Sequence, residues 1–329
     1  MSHVPGKLGA EYYRSFLNRQ GRECYDHILE QLNKKDYSGV SSSVAIRDIS
    51  SAASDCFAAY KAVRDDHPEF FFLGFQSEFT RIGHKGILRY PTLYSEDIIE
   101  RVQYQVRKSV CQLVRGTAGL PVIEREILVY ERIAKKLSYN NHGDVRDHNI
   151  VGPILYDAGV CEGYNALLML CFRRIGIPCV KVYGKTKTDG WHCWTVAWIN
   201  GEPVHCDVTW DSPDEEAGIV WFNYLNLSAK QISVNHYEFS GKEVPACVSE
   251  RFNYHRYKGL SVNSTAELID RMEQDLTASA QSLLHLNYCP KQNDPMSEVK
   301  SAFKKSRLFG SISIHTCADL NNVLIVMKL

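Results

Sequence analysis

The stretch 191–209, WHCWTVAWINGEPVHCDVT, decides how this chain folds around its chemistry. Two runs rich in aromatic and β-branched residues flank Asn200-Gly201, the dipeptide that favours a two-residue type I′ turn. This predicts paired antiparallel strands over 191–199 and 202–209, with Ile199 facing Glu202. In that register Trp194 lies opposite Asp207 and His192 opposite Thr209, so His192 and Asp207 are diagonal neighbours on one face. Diagonal Cβ atoms lie about 7 to 8 Å apart or less, within reach for an imidazole and a carboxylate. A slip of one residue would send one of them to the other face.

Upstream, the run 159–176, GVCEGYNALLMLCFRRIG, places Cys161 just before a helical pattern. Leu167, Leu168, Leu170 and Cys171 supply its apolar stripe, and Gly176 and Pro178 end it. A cysteine at a helix N-terminus sits beside unpaired N–H groups and the positive end of the helix dipole, which favour thiolate. Gly163 is expected to leave room for a substrate backbone and Glu162 to point outward. Singly, a cysteine heading a helix or a histidine beside tryptophan is more often a packed core residue. Three residue types in order are another matter: Cys161 as nucleophile, His192 as acid and base, and Asp207 as orienter of the imidazole satisfy what thiol catalysis needs. Tyr139, Tyr164, Trp191 and Trp194 are the candidates to line the cleft with Gly163, though each also suits a core.

These residues carry a family resemblance. The runs GVCEGYNALLMLCFRRIGIPCVKVYG (159–184), HCWTVAWINGEPVHCDVTWDSP (192–213) and YLNLSAKQISVNH (224–236) resemble the transglutaminase-like superfamily of papain-type thiol enzymes, in particular bacterial proteins common in clostridia. That family has a Cys in a GVCEGYA-like box, a His in an HAWN-like box and an Asp in a DVTWD-like box, and Cys161, His192 and Asp207 occupy those positions. The likeness spans roughly 121–239. It weakens upstream, where Ala59-Tyr60 and Asp66-His67-Pro68-Glu69-Phe70-Phe71 resemble the leader region of the same proteins. Three departures stand out: Thr195 where Asn is usual, Cys193 where Ala is usual, and Asn165-Ala166 in place of Ala-Lys.

Composition agrees with a globular enzyme. The chain has 329 residues, 44% hydrophobic and 23% charged, which suits two or three domains with full cores. Its 38 basic and 38 acidic residues balance, so charge gives no reason to expect nucleic acid or an anionic membrane as partner. No apolar run approaches the roughly 18 residues of a membrane span, and MSHVPGKLGAEYY lacks the apolar core of a secretory signal, so a cytoplasmic location is expected. The eleven cysteines are scattered, odd in number and without framework spacing, which favours a reducing compartment and packing roles. A zinc site from His192, Cys193, His205 and Cys206 is disfavoured because neighbours on a strand point to opposite faces. Asp214-Glu215-Glu216 reads as a solvated loop rather than calcium ligands. No metal or cofactor is expected.

The fold class predicted is α+β, in three segments. Residues 1–120 are a mostly helical N-terminal region, with helices over 8–33, 46–66 and 95–115 and a hairpin-like stretch over 70–94. Residues 121–240 form the transglutaminase-like core, its catalytic Cys at a helix N-terminus packed on an antiparallel sheet, with helices at 121–137 and 147–156 before Cys161. Residues 241–329 form a small α+β module with helices at 264–279 and 296–306 and strands at 281–287, 310–316 and 321–328. The expected activity is thiol-dependent acyl transfer from amide bonds of a peptide or protein substrate, as a cysteine peptidase or amidase. Two alternatives stay open: a transglutaminase that uses an amine acceptor, and a non-catalytic module that binds peptides or wall fragments.

Overall fold

The computed structural model describes residues 10–34, 41–141, 143–187, 190–211, 220–237, 239, 243–276, 281–288, 295–308, 310–317 and 322–328. The acidic stretch Asp214-Glu215-Glu216 lies outside the described residues.

At the centre is a five-stranded antiparallel sheet in the order His236–Tyr237, Cys179–Thr186, Gly190–Ile199, Glu202–Cys206, Leu225–Leu227. The predicted register holds: Ile199 pairs with Glu202 and Thr195 with Cys206. Asn200 and Gly201 both have positive φ, 50° and 85°, as a type I′ turn requires. The second strand stops at Cys206, before Asp207, because the 207 amide turns to the Tyr224 carbonyl at 3.0 Å.

Alternation along the strands divides the sheet into two faces. Cys179, Ala197, Ile199, Val204 and Cys206 join the main core, which also holds the Cys161–Arg174 helix. Val180, Val182, Trp194, Val196 and Trp198 form a second cluster with Tyr224 and Leu227. Helices Arg19–Asn33, Ala52–Asp66, Glu96–Leu113 and Val122–Lys136 place Ile28, Val63, Ile99 and Ile133 in the same main core as Leu167 and Phe172. Residues before 121 are therefore packed with the helix that begins at Cys161.

Three expected helices are shorter than their sequence patterns, and the 147–156 helix is reduced to Val151–Leu155. The 8–33 run is broken at Leu17, which is extended, and restarts where the Asn18 side chain caps the amide of Gly21 at 2.8 Å. The 46–66 run begins only at Ala52, because Ser41–Ala45 pairs with Lys85–Arg89, which in turn pairs with Glu78–Ile82. Periodicity does not reveal that third strand. In the last segment, strands Ser261–Val262, Gln281–Tyr288, Asn322–Lys328 and Ser311–Cys317 form a four-stranded sheet in that order, and helices Thr265–Asp275 and Pro295–Lys305 share a core with it through Leu268, Met272, Val299 and Ala302. No helix among the described residues is long and apolar enough to cross a membrane.

A buried carboxylate joins the Val122–Lys136 helix to the strands around the site. Asp211 accepts from the backbone amides of Asn223 (2.7 Å) and Tyr224 (2.8 Å) and from the Tyr130 hydroxyl (2.7 Å). Replacing it strands three buried donors, each costing about 1–3 kcal/mol unless water enters. Asp211→Ala is therefore expected to lower unfolding free energy by about 3 kcal/mol in urea melts, with an unchanged m-value.

Candidate active site

The site is assembled where the Cys161 helix meets the open end of the Gly190–Ile199 strand. Val160 precedes the helix with no capping side chain, so the first-turn amides, that of Cys161 included, have no intrahelical acceptor. Helix and strand are tied together by one amide. Asn165 Nδ2 donates to the carbonyls of Cys161 and Cys193, each at 2.8 Å, while Asn165 Oδ1 accepts from the Thr195 hydroxyl at 2.5 Å. Asn165 and Thr195, two departures from the family boxes, thus satisfy one another in the interior.

His192 Nε2 lies 2.7 Å from Asp207 Oδ2, with both side chains buried. The His192 ring also hydrogen-bonds the Cys161 thiol, and Nδ1 is the nitrogen that Asp207 does not engage. His236, for which the sequence offered no role, contacts the same carboxylate oxygen through Nε2 at 2.9 Å and Asn235 Oδ1 through Nδ1 at 2.7 Å. The second carboxylate oxygen accepts from the Thr209 amide at 3.0 Å. Aromatic rings enclose the pair: Trp194 stacks on His192 at 5.9 Å and Trp210 lies 4.6 Å from His236. Water is kept from the bonds that orient the imidazole.

The electrostatics follow from this packing. Burial alone would push the Asp207 carboxyl up, but the charge and hydrogen bond of His192, with His236 behind them, hold it well below the usual carboxylate range. Burial would lower His192, yet Asp207 and then the Cys161 thiolate raise it to about 10. Cys161 is brought well below an ordinary thiol by hydrogen bonding from the Cys193 thiol, which outweighs burial, and by the His192 imidazole. Cys193 itself is pushed up by burial and by the Cys161 thiolate. The resting state supported is a Cys161 thiolate beside a His192 imidazolium, present above the depressed thiol pKa and lost as pH rises through about 10.

Not every expected residue reaches the cleft. Tyr139 and Trp191, 53% and 73% exposed, line a cavity of about 410 Å³ with Cys161, His192 and Cys193. Tyr164 and Trp194 are fully buried, because each points into one of the cores flanking the sheet. Gly163 is buried as well: a Cβ there would lie 2.9 Å from the Asp147 carbonyl and 3.1 Å from that of Asn149, so its small size admits this loop rather than substrate. Glu162 does not point away into solvent; it faces the cavity, 2.6 Å from His148 Nδ1.

His192, Asp207 and His236 present atoms close enough to hold a metal ion. Two imidazole nitrogens already meet one carboxylate oxygen at hydrogen-bonding distance, and the group has almost no exposed surface for a further ligand, so the arrangement fits proton sharing better than coordination. The zinc set considered from sequence is dispersed: His205 Nδ1 accepts from Trp194 Nε1 at 3.0 Å, and Cys206 faces Glu126 and Asn226.

Iodoacetamide at about pH 6, where an ordinary thiol is almost wholly protonated, is expected to label Cys161 before every other cysteine, as read by peptide mass spectrometry. His192→Ala should slow that labelling at least about tenfold at this pH, and Cys193→Ala should move the acid limb of the pH–rate profile upward. Faster labelling of the exposed Cys111 than of Cys161 would contradict the thiolate assignment.

Residues 109–208 match the family model of the transglutaminase-like superfamily, and no curated protein matches the chain. Among solved structures the chain is similar to a TGase (13% identity, 42% of this chain and 45% of that one, TM-score 0.29). It is also similar to a candidate cysteine protease from Cytophaga hutchinsonii (15% identity, 41% of this chain and 61% of that one, TM-score 0.29). The chain spans about half of these proteins' lengths, and overlap this low leaves the roles of individual residues to the geometry above. Residues 109–208, with Cys161 at a helix start, His192 on a strand and Asp207 at the next strand's end, form a domain of the transglutaminase-like superfamily.

Proposed function

We propose that the protein is a thiol-dependent acyl-transfer enzyme acting on amide bonds, most directly a cysteine peptidase or amidase. The observation that carries this reading is His192, with Nε2 on the buried Asp207 and its ring hydrogen-bonded to the partly exposed Cys161 at a helix N-terminus. The thiolate attacks the amide carbonyl carbon, and the Cys161 amide at the helix start donates to the oxygen as it gains charge. His192 then gives its proton to the departing amine as the C–N bond breaks, leaving a thioester on Cys161 and a neutral imidazole. Water surrenders a proton to His192, attacks the thioester and releases the carboxylic acid, restoring thiolate and imidazolium. An amine in place of water gives transglutamination by the same steps.

Asp207 acts by fixing the ring. With Nε2–H held on the carboxylate, Nδ1 is the nitrogen presented to Cys161, and the imidazolium that forms is stabilised in place. The two cleft aromatics, Tyr139 and Trp191, flank the thiol and are placed to contact substrate.

The test is turnover of a peptide library with and without a primary amine, followed by intact mass for a thioester adduct. Cleaved or deamidated product is expected without added metal. Cys161→Ser should abolish it, and Asp207→Asn should lower kcat by about 10³-fold or more, since the amide can no longer hold the productive tautomer. Amine incorporation outpacing hydrolysis would make the enzyme a transglutaminase. Tight peptide binding with a reactive Cys161 and no acyl adduct would assign the cleft to binding alone.

A further inference from the structure

Glu162 and Tyr183 line two cavities at once: the one that reaches Cys161, and a groove of about 1080 Å³ built largely by residues before 121. The groove wall is formed by the Ala52–Asp66 helix and the 78–89 hairpin, and it presents the rings of Phe57 and Phe75 over the buried Tyr60 and Tyr90. Phe57 and Phe75 are 41% and 53% exposed, so apolar area is left open to solvent at a concave surface that leads to the thiol.

Two guanidinium groups stand among these rings. Arg64 lies 4.1 Å above Phe75 and 5.9 Å from the Tyr60 ring. Arg89 donates to the Thr80 hydroxyl at 3.5 Å. Neither has a carboxylate within salt-bridge distance among the described residues. The acidic groups of the wall are mostly committed elsewhere. Asp65 is buried, held by Lys61 (2.5 Å), Lys181 (3.0 Å) and Tyr183 (2.6 Å), and Glu162 is paired with His148. Glu78 sits opposite Arg89 across the hairpin without closing an ion pair. The Asp65 cluster also fixes the groove relative to the sheet, since it joins the Ala52–Asp66 helix to Lys181 and Tyr183 on the strand beside His192.

We propose that this groove binds the stretch of substrate polypeptide next to the reacting amide and selects a segment that carries a carboxylate beside an aromatic side chain. The proposal rests on Cys161 being the reacting group. The rings supply apolar contact, and Arg64, pre-positioned over Phe75, offers a fork of donors suited to a carboxylate. A nucleic acid or phosphate ligand would use the cations but not the continuity with the thiol.

The test separates binding from turnover. In the Cys161→Ala protein, two dansylated heptapeptides with a central glutamine, one flanked by Phe-Glu-Phe and the other by Phe-Gln-Phe, are titrated by fluorescence, with the flank placed on either side in turn. The acidic peptide is expected to bind about tenfold more tightly, as one charge-assisted hydrogen bond implies, and to weaken with added salt. Arg64→Gln and Arg89→Gln in that background should each reduce the difference, with thermal melts confirming the fold. In the wild-type protein, saturating acidic peptide should slow iodoacetamide labelling of Cys161. Equal affinities, a preference that survives both arginine variants, or tight binding that leaves Cys161 labelling unchanged would overturn the proposal. Binding and shielding of Cys161 without any turnover would uphold the groove and defeat the proposed function; turnover indifferent to the acidic flank would do the reverse.

Discussion

A carboxylate buried with no exposed surface is the constraint around which the site is organised. Asp207 can stay ionised in the interior only if its oxygens are satisfied, because an unpaired buried charge costs several kcal/mol. Oδ2 takes two imidazoles and Oδ1 takes a backbone amide. Each partner comes from a different part of the chain: His192 from the central strand, His236 from a two-residue edge strand, and Thr209 from the turn that follows Asp207 itself. Satisfying one carboxylate therefore fixes how three segments meet. Ordering the imidazole of His192 is a by-product of solving that problem, and it is the part that chemistry can use.

The same arrangement explains what sequence could and could not reveal. The hairpin register was legible because a two-residue Asn-Gly turn leaves one pairing, which runs as far as Thr195 and Cys206, and Asp207 then turns to Tyr224 and meets His192. The start of the Cys161 helix was legible from its apolar stripe and its stop at Gly176. His236 was not, because a two-residue strand carries no periodicity and its partner lies 29 residues away in sequence. Cys193 was assigned to packing because alternation sends it away from His192. It does leave that face, and this brings it against the Cys161 helix, where it bears on the thiol. Tyr164 and Trp194 were misplaced for a related reason: an aromatic residue near a catalytic one in sequence points into the core whenever both faces of its sheet are covered. The strand Ser41–Ala45 is not legible because its partner Lys85–Arg89 lies far along the chain, and a serine-rich run gives no apolar alternation.

Substitution at the boxes was also compensated in a way that single positions hide. Thr195 and Asn165 each look like a loss against the family pattern. In the fold they form one buried unit, hydroxyl to amide oxygen and amide nitrogen to two carbonyls, so no polar atom of Asn165 is left bare. That unit ties the Cys161 carbonyl to the Cys193 carbonyl. It sets the distance between the Cys161 helix and the strand that carries His192 without touching the Cys161 thiol or the His192 imidazole.

Rigidity and access are divided between two parts of the molecule. Behind the thiol, Asp207 and His236 are buried and hydrogen-bonded and the rings of Trp194 and Trp210 lie against the two imidazoles, so the orientation of His192 is set in advance of any reaction. In front of it lie exposed rings and arginines that have no salt-bridge partner among the described residues, on a segment before 121 that shares a core with the Cys161 helix and so holds a fixed position against it. A helix that carried only the thiol would need its substrate delivered by other means. Here the segment that buries one side of that helix also shapes the adjoining groove, so on the proposed reading packing the nucleophile and presenting a substrate to it both depend on the contact between Asp65 and the Lys181–Tyr183 strand.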